Sequence, residues 1–378
     1  MKKIFFVAIA ATLLAAGCQK TEILNQVSPA EGSSMTFAPD MGKLTKSAEG
    51  QGLDNLKAQD FRLWAYYDAD DANRNAKAGD VYDKMKNIKV FDQTSGETTS
   101  WKTTVDHFWP GAGKKLRFFA VSANEAVYGA EEGPDVSTHV EIDSKTGLIT
   151  ISDFVVDNNA DVDLMIADTV IAHQTTNNKT VNLKFRHALA KVQFQFKNEM
   201  AKDNDPNAVI VQHMYVNGVE TTGTVAITGQ SVSNKLTLTD WTPGGVKTNF
   251  YGDFTKPTDL VVPTISQPAE NLTTVYGGEP QSGHEMLLTD EYQAYTTWLV
   301  IPQALDNSET MATKVTIAYL IGTRQFVATF PLYRTDVTAW NPNQFIKYNV
   351  SLSPNLIGFN ATVEDWTTDP SNGADINN

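Results

Sequence analysis

The sequence predicts an all-β protein built as two β-sandwich domains. Short runs of alternating apolar and polar residues recur along the chain. In residues 191–196, for example, Val192, Phe194 and Phe196 share one face. Glycine, proline, asparagine, aspartate and serine separate these runs, and no long stretch has helical periodicity with capping residues. With 378 residues, 41% of them hydrophobic, the chain is long enough for two domains with their own cores.

The charge and the single cysteine exclude several classes of protein. The chain has 30 Lys and Arg residues against 44 Asp and Glu residues, which gives a formal net charge of −14 at pH 7. Because so acidic a chain repels phosphate backbones, nucleic acid is not expected among its partners. A lone cysteine, Cys18, excludes an intramolecular disulfide and a zinc site built from cysteines.

The first eighteen residues have the pattern of an export signal. Two lysines precede the short apolar stretch 4–16, which is too short to span a bilayer comfortably as a helix. The pattern predicts a signal peptide over residues 1–17 and an acylated Cys18, followed by a lipid-anchored tether over residues 18–32. The protein is therefore expected to be an outer-membrane lipoprotein exposed at the cell surface. Ala15 stands where leucine is usual in lipoprotein signals, so the alternative is an ordinary signal peptide that leaves a free cysteine.

Beyond this segment, alternating runs continue to the end of the chain. They predict strands over residues 61–66, 115–121, 191–196, 209–211, 224–227, 235–238, 297–301, 315–321, 325–330 and 346–352. A short turn within residues 321–325 predicts a hairpin, and the best helical candidate lies near residues 188–190. A polar stretch at 199–207 predicts the boundary between an N-terminal sandwich, residues 33–199, and a C-terminal sandwich, residues 205–378.

The sequence motifs of common enzymes are absent, so we expect the protein not to be an enzyme. There is no nucleophile elbow, no phosphate-binding glycine loop and no dinucleotide-binding motif. The six histidines show no metal-ligand spacing, and no metal or cofactor is expected. His187 lies beside apolar positions and is expected to be a hydrogen-bonded structural histidine, with a ligand role as the alternative.

Two acidic clusters are the remaining candidates for chemistry. Asp68, Asp70 and Asp71 form a loop that lacks the glycine and the fifth-position ligand of a calcium loop, which favours a solvated acidic loop. Asp161 and Asp163 share a face if the segment is a strand, and such a pair can perform acid–base catalysis. No aromatic substrate platform lies nearby in the sequence, which disfavours a secreted hydrolase.

A set of motifs occurs in a particular order along the chain. They are Phe-Trp-Pro at 108–110, Leu-Arg-Phe-Phe-Ala at 116–120, Asp-Leu-Met-Ile-Ala at 163–167, Phe-Arg-His-Ala-Leu-Ala-Lys-Val at 185–192, Trp340, Tyr-Asn-Val-Ser-Leu at 348–352 and Val-Glu-Asp-Trp at 363–366. Together with the lipoprotein signal, this order resembles the fimbrillin family, the subunits of the type V pili of Bacteroides-like bacteria. The resemblance covers nearly the whole chain.

The resemblance implies two sandwich domains of transthyretin-like topology and assembly by strand exchange. Fimbrillins are exported as lipoproteins and cut after a basic residue by a trypsin-like protease, which removes the N-terminal strand. A strand of a neighbouring subunit then fills the groove. The implied partners are other pilus subunits, the maturation protease, the outer membrane through the lipid anchor, and a ligand on a host or bacterial surface. The implied location after maturation is the fimbrium.

Residues 34–38 alternate and are the candidate for the removable first strand. Its central residues are Met35, Thr36, Phe37 and Ala38. Lys46 and Lys43, in the polar segment that follows, are the candidate cleavage sites, with a solvated loop residue as the alternative for Lys46. The family often has Thr-Arg-Ala in this loop. Lysine suits a trypsin-like protease but not an arginine-only protease.

The C-terminal tail departs from the pattern of stalk subunits, which tend to carry an apolar strand after the terminal tryptophan. Residues 367–378 contain one apolar anchor, Ile376, and a proline, Pro370. Because such a tail is a poor donor strand, the sequence favours a tip or minor subunit with adhesive contacts. The alternative function is a lipid-anchored surface carbohydrate-binding protein that stays monomeric.

Overall fold

A computed structural model describes most of the chain. The described residues are 33–40, 60–93, 100–111, 113–129, 131–133, 138–156, 162–173, 179–199, 208–228, 236–252, 254–266, 283–308, 312–353 and 357–366. Besides strands, this part of the chain contains one four-residue helix, α1 (Glu125–Tyr128), and two short 3-10 helices, Ala72–Arg74 and Leu238–Asp240. None of these helices has the length and apolar character needed to cross a membrane.

The remaining elements are strands, which confirms the predicted all-β class. In chain order they are β1 (Thr36–Asp40), β2 (Phe61–Tyr67), β3 (Ile88–Asp92), β4 (Trp101–Thr103), β5 (Lys115–Ser122), β6 (Val140–Asp143), β7 (Leu148–Val155), β8 (Met165–Ala167), β9 (Val170–His173), β10 (Thr180–His187), β11 (Ala190–Asn198), β12 (Val209–Glu220), β13 (Thr222–Thr228), β14 (Trp241–Pro243), β15 (Lys247–Tyr251), β16 (Met286–Leu287), β17 (Gln293–Val300), β18 (Gln303–Ala304), β19 (Lys314–Ile321), β20 (Arg324–Pro331), β21 (Ala339–Trp340), β22 (Gln344–Leu352) and β23 (Ile357–Asp365).

The first sheet closes on itself. Its strand order is β2-β3-β4-β1-β10-β8-β5-β9, and β2 also pairs with β5, so that the strands from β2 round to β5 form a closed strand ring. Alternate residues of these strands point inside, where Phe61, Phe118 and Phe185 are fully buried. The other face of β2 and β5 is also buried, because Trp64 and Phe119 belong to a second core.

That second core lies between the strand ring and a four-stranded sheet with the order β14-β13-β7-β6. Ile149 and Ile151 of β7 and Val225 of β13 are fully buried there. Trp241 of β14 joins them, and its indole N–H donates to the Ala188 carbonyl at 2.9 Å. The ring and this sheet therefore pack face to face as a sandwich.

Two further sheets enclose a third core. Their strand orders are β17-β11-β22-β23 and β15-β12-β19-β20, with β16 added to β12. Phe194, Phe196 and Tyr348 are fully buried between them, together with Phe250. A small sheet of β18 and β21 completes the pairing. The layered packing of apolar sheet faces is the sandwich arrangement that the alternating sequence predicts.

Strand pairing crosses the polar stretch where the sequence places the domain boundary. β11 precedes that stretch but pairs with β17 and β22, which follow it. β13 follows it but pairs with β7. The division into residues 33–199 and 205–378 remains a prediction. Strands on either side of that boundary pair with strands on the other side.

Two local predictions are wrong. Residues 188–190 do not form a helix, because Ala188 N–H donates to the Leu164 carbonyl and the Leu189 carbonyl accepts from Asn343 N–H, which leaves this backbone engaged in tertiary contacts. The predicted strand at 235–238 is absent from its described part, where residue 238 begins the second 3-10 helix. Thr237 N–H donates to the Asp240 carboxylate at 2.7 Å and closes this turn.

Candidate functional site

Strand β1 closes the strand ring between β4 and β10. It runs parallel to β10, and the pairing extends over five residues, from Thr36 opposite Thr180 to Asp40 opposite Lys184. On its other side it pairs with β4 only at Phe37, opposite Trp101. One neighbour thus provides most of the ladder that holds β1, and the contact with the other neighbour is short.

The start of β1 is fixed by backbone hydrogen bonds to the segment before β5 and to the residue before β10. Met35 N–H donates to the His107 carbonyl at 2.8 Å, and Trp109 N–H donates to the Ser33 carbonyl at 3.4 Å. Thr36 N–H donates to the Lys179 carbonyl at 3.3 Å. These bonds place the Phe-Trp-Pro motif at 108–110 against the entry of β1, a role that the sequence analysis did not foresee.

The side chains of β1 alternate between the ring interior and solvent. Met35 and Phe37 are 5% and 4% exposed and belong to the ring core, whereas Thr36 is exposed. On the outer face the Thr36 and Thr180 hydroxyls lie 2.8 Å apart. Apolar burial and the parallel ladder therefore act together on a strand of only five residues.

Trp109 lies beside β1 and is almost fully buried. Its indole N–H donates to the Lys179 carbonyl at 3.1 Å, and the same carbonyl also accepts a hydrogen bond from Thr36 N–H. The Tyr82 hydroxyl donates to the Phe108 carbonyl. Burial raises the pKa of Tyr82, so this hydroxyl stays protonated and acts as a donor at neutral pH.

The other predicted processing residues lie outside the described residues. They are Cys18, Lys43 and Lys46. The sequence places both lysines between β1 and β2, in the segment that connects the first strand to the rest of the ring. The lipid attachment and the cleavage site remain predictions.

Three of the ordered sequence motifs meet at one buried cluster. His187 Nδ1 lies 2.6 Å from Asp163 Oδ2, and both side chains are at most 5% exposed. The His187 ring stacks on Trp366 with 3.6 Å between the ring centroids and 6° between the planes. This confirms that His187 is a hydrogen-bonded structural histidine. Asp161 lies outside the described residues, so the acid–base pair with Asp163 stays untested.

The carboxylates of the acidic loop after β2 are paired with neighbouring residues, and Asp71 is 2% exposed, so the expectation of a solvated loop is wrong for this residue. Asp70 accepts hydrogen bonds from Ala78 N–H at 2.9 Å and from Lys77 Nζ at 3.1 Å. Asp71 accepts from Lys114 Nζ at 3.0 Å, and Asp68 pairs with an arginine of β5. Among the described residues, no group of three or more His, Cys, Asp or Glu side chains is arranged to hold a metal ion.

Comparisons with known proteins add a family and a fold. A family model described as fimbrillin-like matches residues 50–366. No curated protein matches the sequence significantly. A fimbrial protein from Bacteroides vulgatus is 18% identical, with a TM-score of 0.51 over 88% of this chain and 99% of that chain. A candidate cell adhesion protein from Bacteroides ovatus is 15% identical, with a TM-score of 0.50 over 89% and 98%. At these identities the two structures show a shared fold.

Proposed function

Because this chain belongs to the fimbrillin-like family, we propose that it is a structural or adhesive subunit of a cell-surface pilus. We propose further that it assembles by strand exchange after proteolytic removal of β1. The observation that carries the second step is the position of β1, a short strand that closes the strand ring and fills its core. The subunit has a structural role, and no enzymatic activity is proposed for it.

Removal of β1 would create a defined acceptor groove. The ring would open between β4 and β10, and the edge of β10 from Thr180 to Lys184 would lose its backbone partners. The positions of Met35 and Phe37 in the core would become an apolar trough. A strand that refills the trough would contribute a stabilising free energy of roughly 1.5–3 kcal/mol for each large apolar side chain. Each backbone hydrogen bond would add about 0.5–1.5 kcal/mol.

The parallel orientation of β1 gives the exchange a direction. A donor strand that ran antiparallel to β10 would pair slightly more stably per residue than β1 does. At the β10 edge this favours such a donor once β1 is no longer covalently attached, although the donor would then run parallel to β4, with which β1 pairs antiparallel. A cut after Lys43 or Lys46 supplies this condition, because it severs the connection between β1 and β2.

The same cut would separate the subunit from its membrane anchor. Cys18 carries the lipid in this proposal, and residues 18–32 form the tether on the outer membrane. Since both lie before β1, they leave with it, and the mature subunit passes to the fimbrium. A trypsin-like protease is the partner in this step.

The tail favours a tip or minor position in the fibre. Residues 367–378 offer one apolar anchor, Ile376, and contain Pro370, so they make a weak donor. A subunit that accepts a strand but donates poorly terminates a fibre. At that position it would be available to contact a ligand on a host or bacterial surface.

The experiment uses the full chain, trypsin and a labelled peptide of residues 33–40. We expect limited digestion to cut after residue 43 or 46 with the remainder intact by mass, and the cut chain to take up the peptide. The double variant Lys43→Gln, Lys46→Gln should resist the cut, whereas the matched variant Lys84→Gln, at an exposed loop residue, should not. Digestion throughout the body, or a cut chain that takes up no peptide, would contradict strand exchange.

A further inference from the structure

The third core, in the C-terminal half, is sealed along one side. There the outer strands are β15 and β17, and their core-facing side chains are buried. Phe250 is 0% exposed and Trp298 is 4% exposed, and their rings meet edge to face with 5.6 Å between centroids. Tyr295 is buried beside them. This side shows how the sandwich closes when the edges of its two sheets meet fully.

The described residues do not seal the opposite side of the same sandwich. Its outer strands are β20 and β23, which face each other where the rings of Phe330 and Phe359 stack with 5.0 Å between centroids. The core-facing residues of both strands are only half-buried, although they pack against the same core. We name this side the open seam. Its residues are Phe326, Ala328 and Phe330 of β20 and Ile357, Phe359 and Ala361 of β23.

Both strands of the open seam have one paired edge in the described part of the chain. β20 pairs with β19, and β23 pairs with β22 over nine residues. Arg334 Nη1 donates to the Phe359 carbonyl at 2.9 Å, which shows that this carbonyl points away from β22. In an antiparallel strand the N–H of the same residue points the same way, so alternate backbone groups of β23 face the seam's outer edge.

The middle of the open seam lacks the charged residues and proline that usually protect an exposed edge. Soluble proteins commonly place charged residues or proline on such strands. Residues 325–330 and 357–363 contain no lysine, arginine, aspartate, glutamate or proline. The charged residues and the proline of these strands lie at the strand ends, namely Arg324 and Pro331 of β20 and Glu364 and Asp365 of β23. A central edge without charge or proline, beside half-exposed core residues, is a feature that strand addition would complete.

We propose that the open seam binds an extended strand of another pilus subunit, with apolar side chains at alternate positions and acidic residues near the ends. The assignment of this strand to a pilus subunit rests on the proposed function. The seam itself does not depend on removal of β1, because no strand of the described residues covers it while β1 is in place.

Two arginines at the rim favour acidic groups at the positions that a partner would place beside them, whereas the end of β23 carries Glu364 and Asp365. Arg324 lies over the Phe326 ring at 5.6 Å, and Arg334 lies over the Phe359 ring at 5.7 Å. Arg334 also contacts Asp336, which is half exposed, at 3.2 Å. A carboxylate of an incoming strand can take the place of Asp336 at this guanidinium, and charge-assisted bonds of this kind are stronger than neutral ones.

The chain's own tail fits the open seam poorly. Residues 367–378 are acidic, but Ile376 is their single large apolar side chain. A strand that covers three half-exposed residues on each side needs several apolar residues in alternation. This requirement points to another subunit as the source of the strand.

The test measures peptide binding to the uncleaved chain. The probe is a fluorescent nonapeptide, Asp-Val-Thr-Val-Thr-Val-Thr-Val-Asp, and its control, Asp-Val-Val-Thr-Thr-Thr-Val-Val-Asp, has the same composition without the alternation. We expect saturable binding of the probe alone and slower hydrogen exchange at residues 357–363. Because β1 is still in place, a failure of strand exchange at the ring leaves this result unchanged, so the two proposals fail separately.

Matched variants locate the binding. Ala328→Lys puts a charge into the open seam and should weaken binding about tenfold or more, since the ammonium group is buried by the probe. Thr329→Lys, on the exposed face of the same strand, should leave affinity within about twofold. Equal affinity of both variants, or no binding by the wild-type chain, overturns the proposal. It is also overturned if truncation after residue 366 is required for binding, or if the chain dimerises through the seam and excludes the probe.

Discussion

Replacing Phe37 by alanine should loosen β1 without unfolding the rest of the chain. Phe37 is 4% exposed inside the strand ring and is the residue through which β1 pairs with both neighbours, Val181 of β10 and Trp101 of β4. Truncating a buried phenylalanine costs about 3–5 kcal/mol. The loss falls mainly on the free energy that holds β1 in the ring, because its five residues have few other apolar anchors.

This free energy converts directly into an opening equilibrium. At about 1.4 kcal/mol per factor of ten, the opening of β1 should become roughly a hundred- to several-thousand-fold more frequent. The amides of β10 that pair with β1 should then exchange faster by a similar factor, since their exchange requires local opening. The ladder in the third core, for example β11 with β22, should keep its protection.

Hydrogen exchange followed by mass spectrometry measures this effect on the uncleaved variant. Thr36→Ser is the matched control, because Thr36 is exposed in the same strand and serine keeps its hydroxyl. An unchanged exchange rate of residues 180–184 in the Phe37→Ala variant would refute the view that β1 is held by its core side chains. Equal acceleration in the control would refute it as well.

Three further predictions concern other positions. Trp109→Phe removes the indole N–H bonded to the Lys179 carbonyl, and we expect a loss of about 1–3 kcal/mol by chemical denaturation. Gly358→Ala would place the new Cβ 2.3 Å from the Ser351 Oγ, and because this hydroxyl can rotate to another rotamer we expect a loss of about 1 kcal/mol or less. The double variant with Ser351→Ala should recover most of the loss in thermal denaturation. Burial lowers the pKa of His213 from 6.5 to about 4. Because the unfolded chain therefore takes up this proton first, the free energy of unfolding is highest above pH 6.5 and decreases as the pH falls towards 4. A His213→Asn variant should show a flatter stability profile over this window.

The sequence predicts the strands well where one face is buried and the other is not. In β11, Val192, Phe194 and Phe196 are fully buried, and Gln193 and Gln195 are partly exposed, as the alternation requires. The predicted hairpin at 321–325 is confirmed, with a two-residue turn between β19 and β20. Its Gly322 has φ of 57°, a conformation that glycine adopts without strain.

The arrangement of the candidate site could not be predicted in the same way. Alternation identifies β1 as a strand but does not choose β10 as its neighbour or a parallel direction, because partners distant in sequence leave no local pattern. The meeting of Asp163, His187 and Trp366 is likewise a tertiary event. Lys191, which lies on the face of β11 opposite Val192, is also buried, and its ammonium group lies over the Phe345 ring at 5.1 Å.

A disulfide lock on β1 tests the central claim most directly. Thr36 and Thr180 are direct partners in the ladder, and their hydroxyl oxygens lie 2.8 Å apart on the outer face, so the two side chains point towards each other as a disulfide requires. The variant carries Thr36→Cys and Thr180→Cys together with Cys18→Ser, is cut with trypsin, and is mixed with the labelled peptide of residues 33–40. The account predicts no peptide uptake while the disulfide is intact and uptake after reduction. Equal uptake by the oxidised and reduced forms would contradict it.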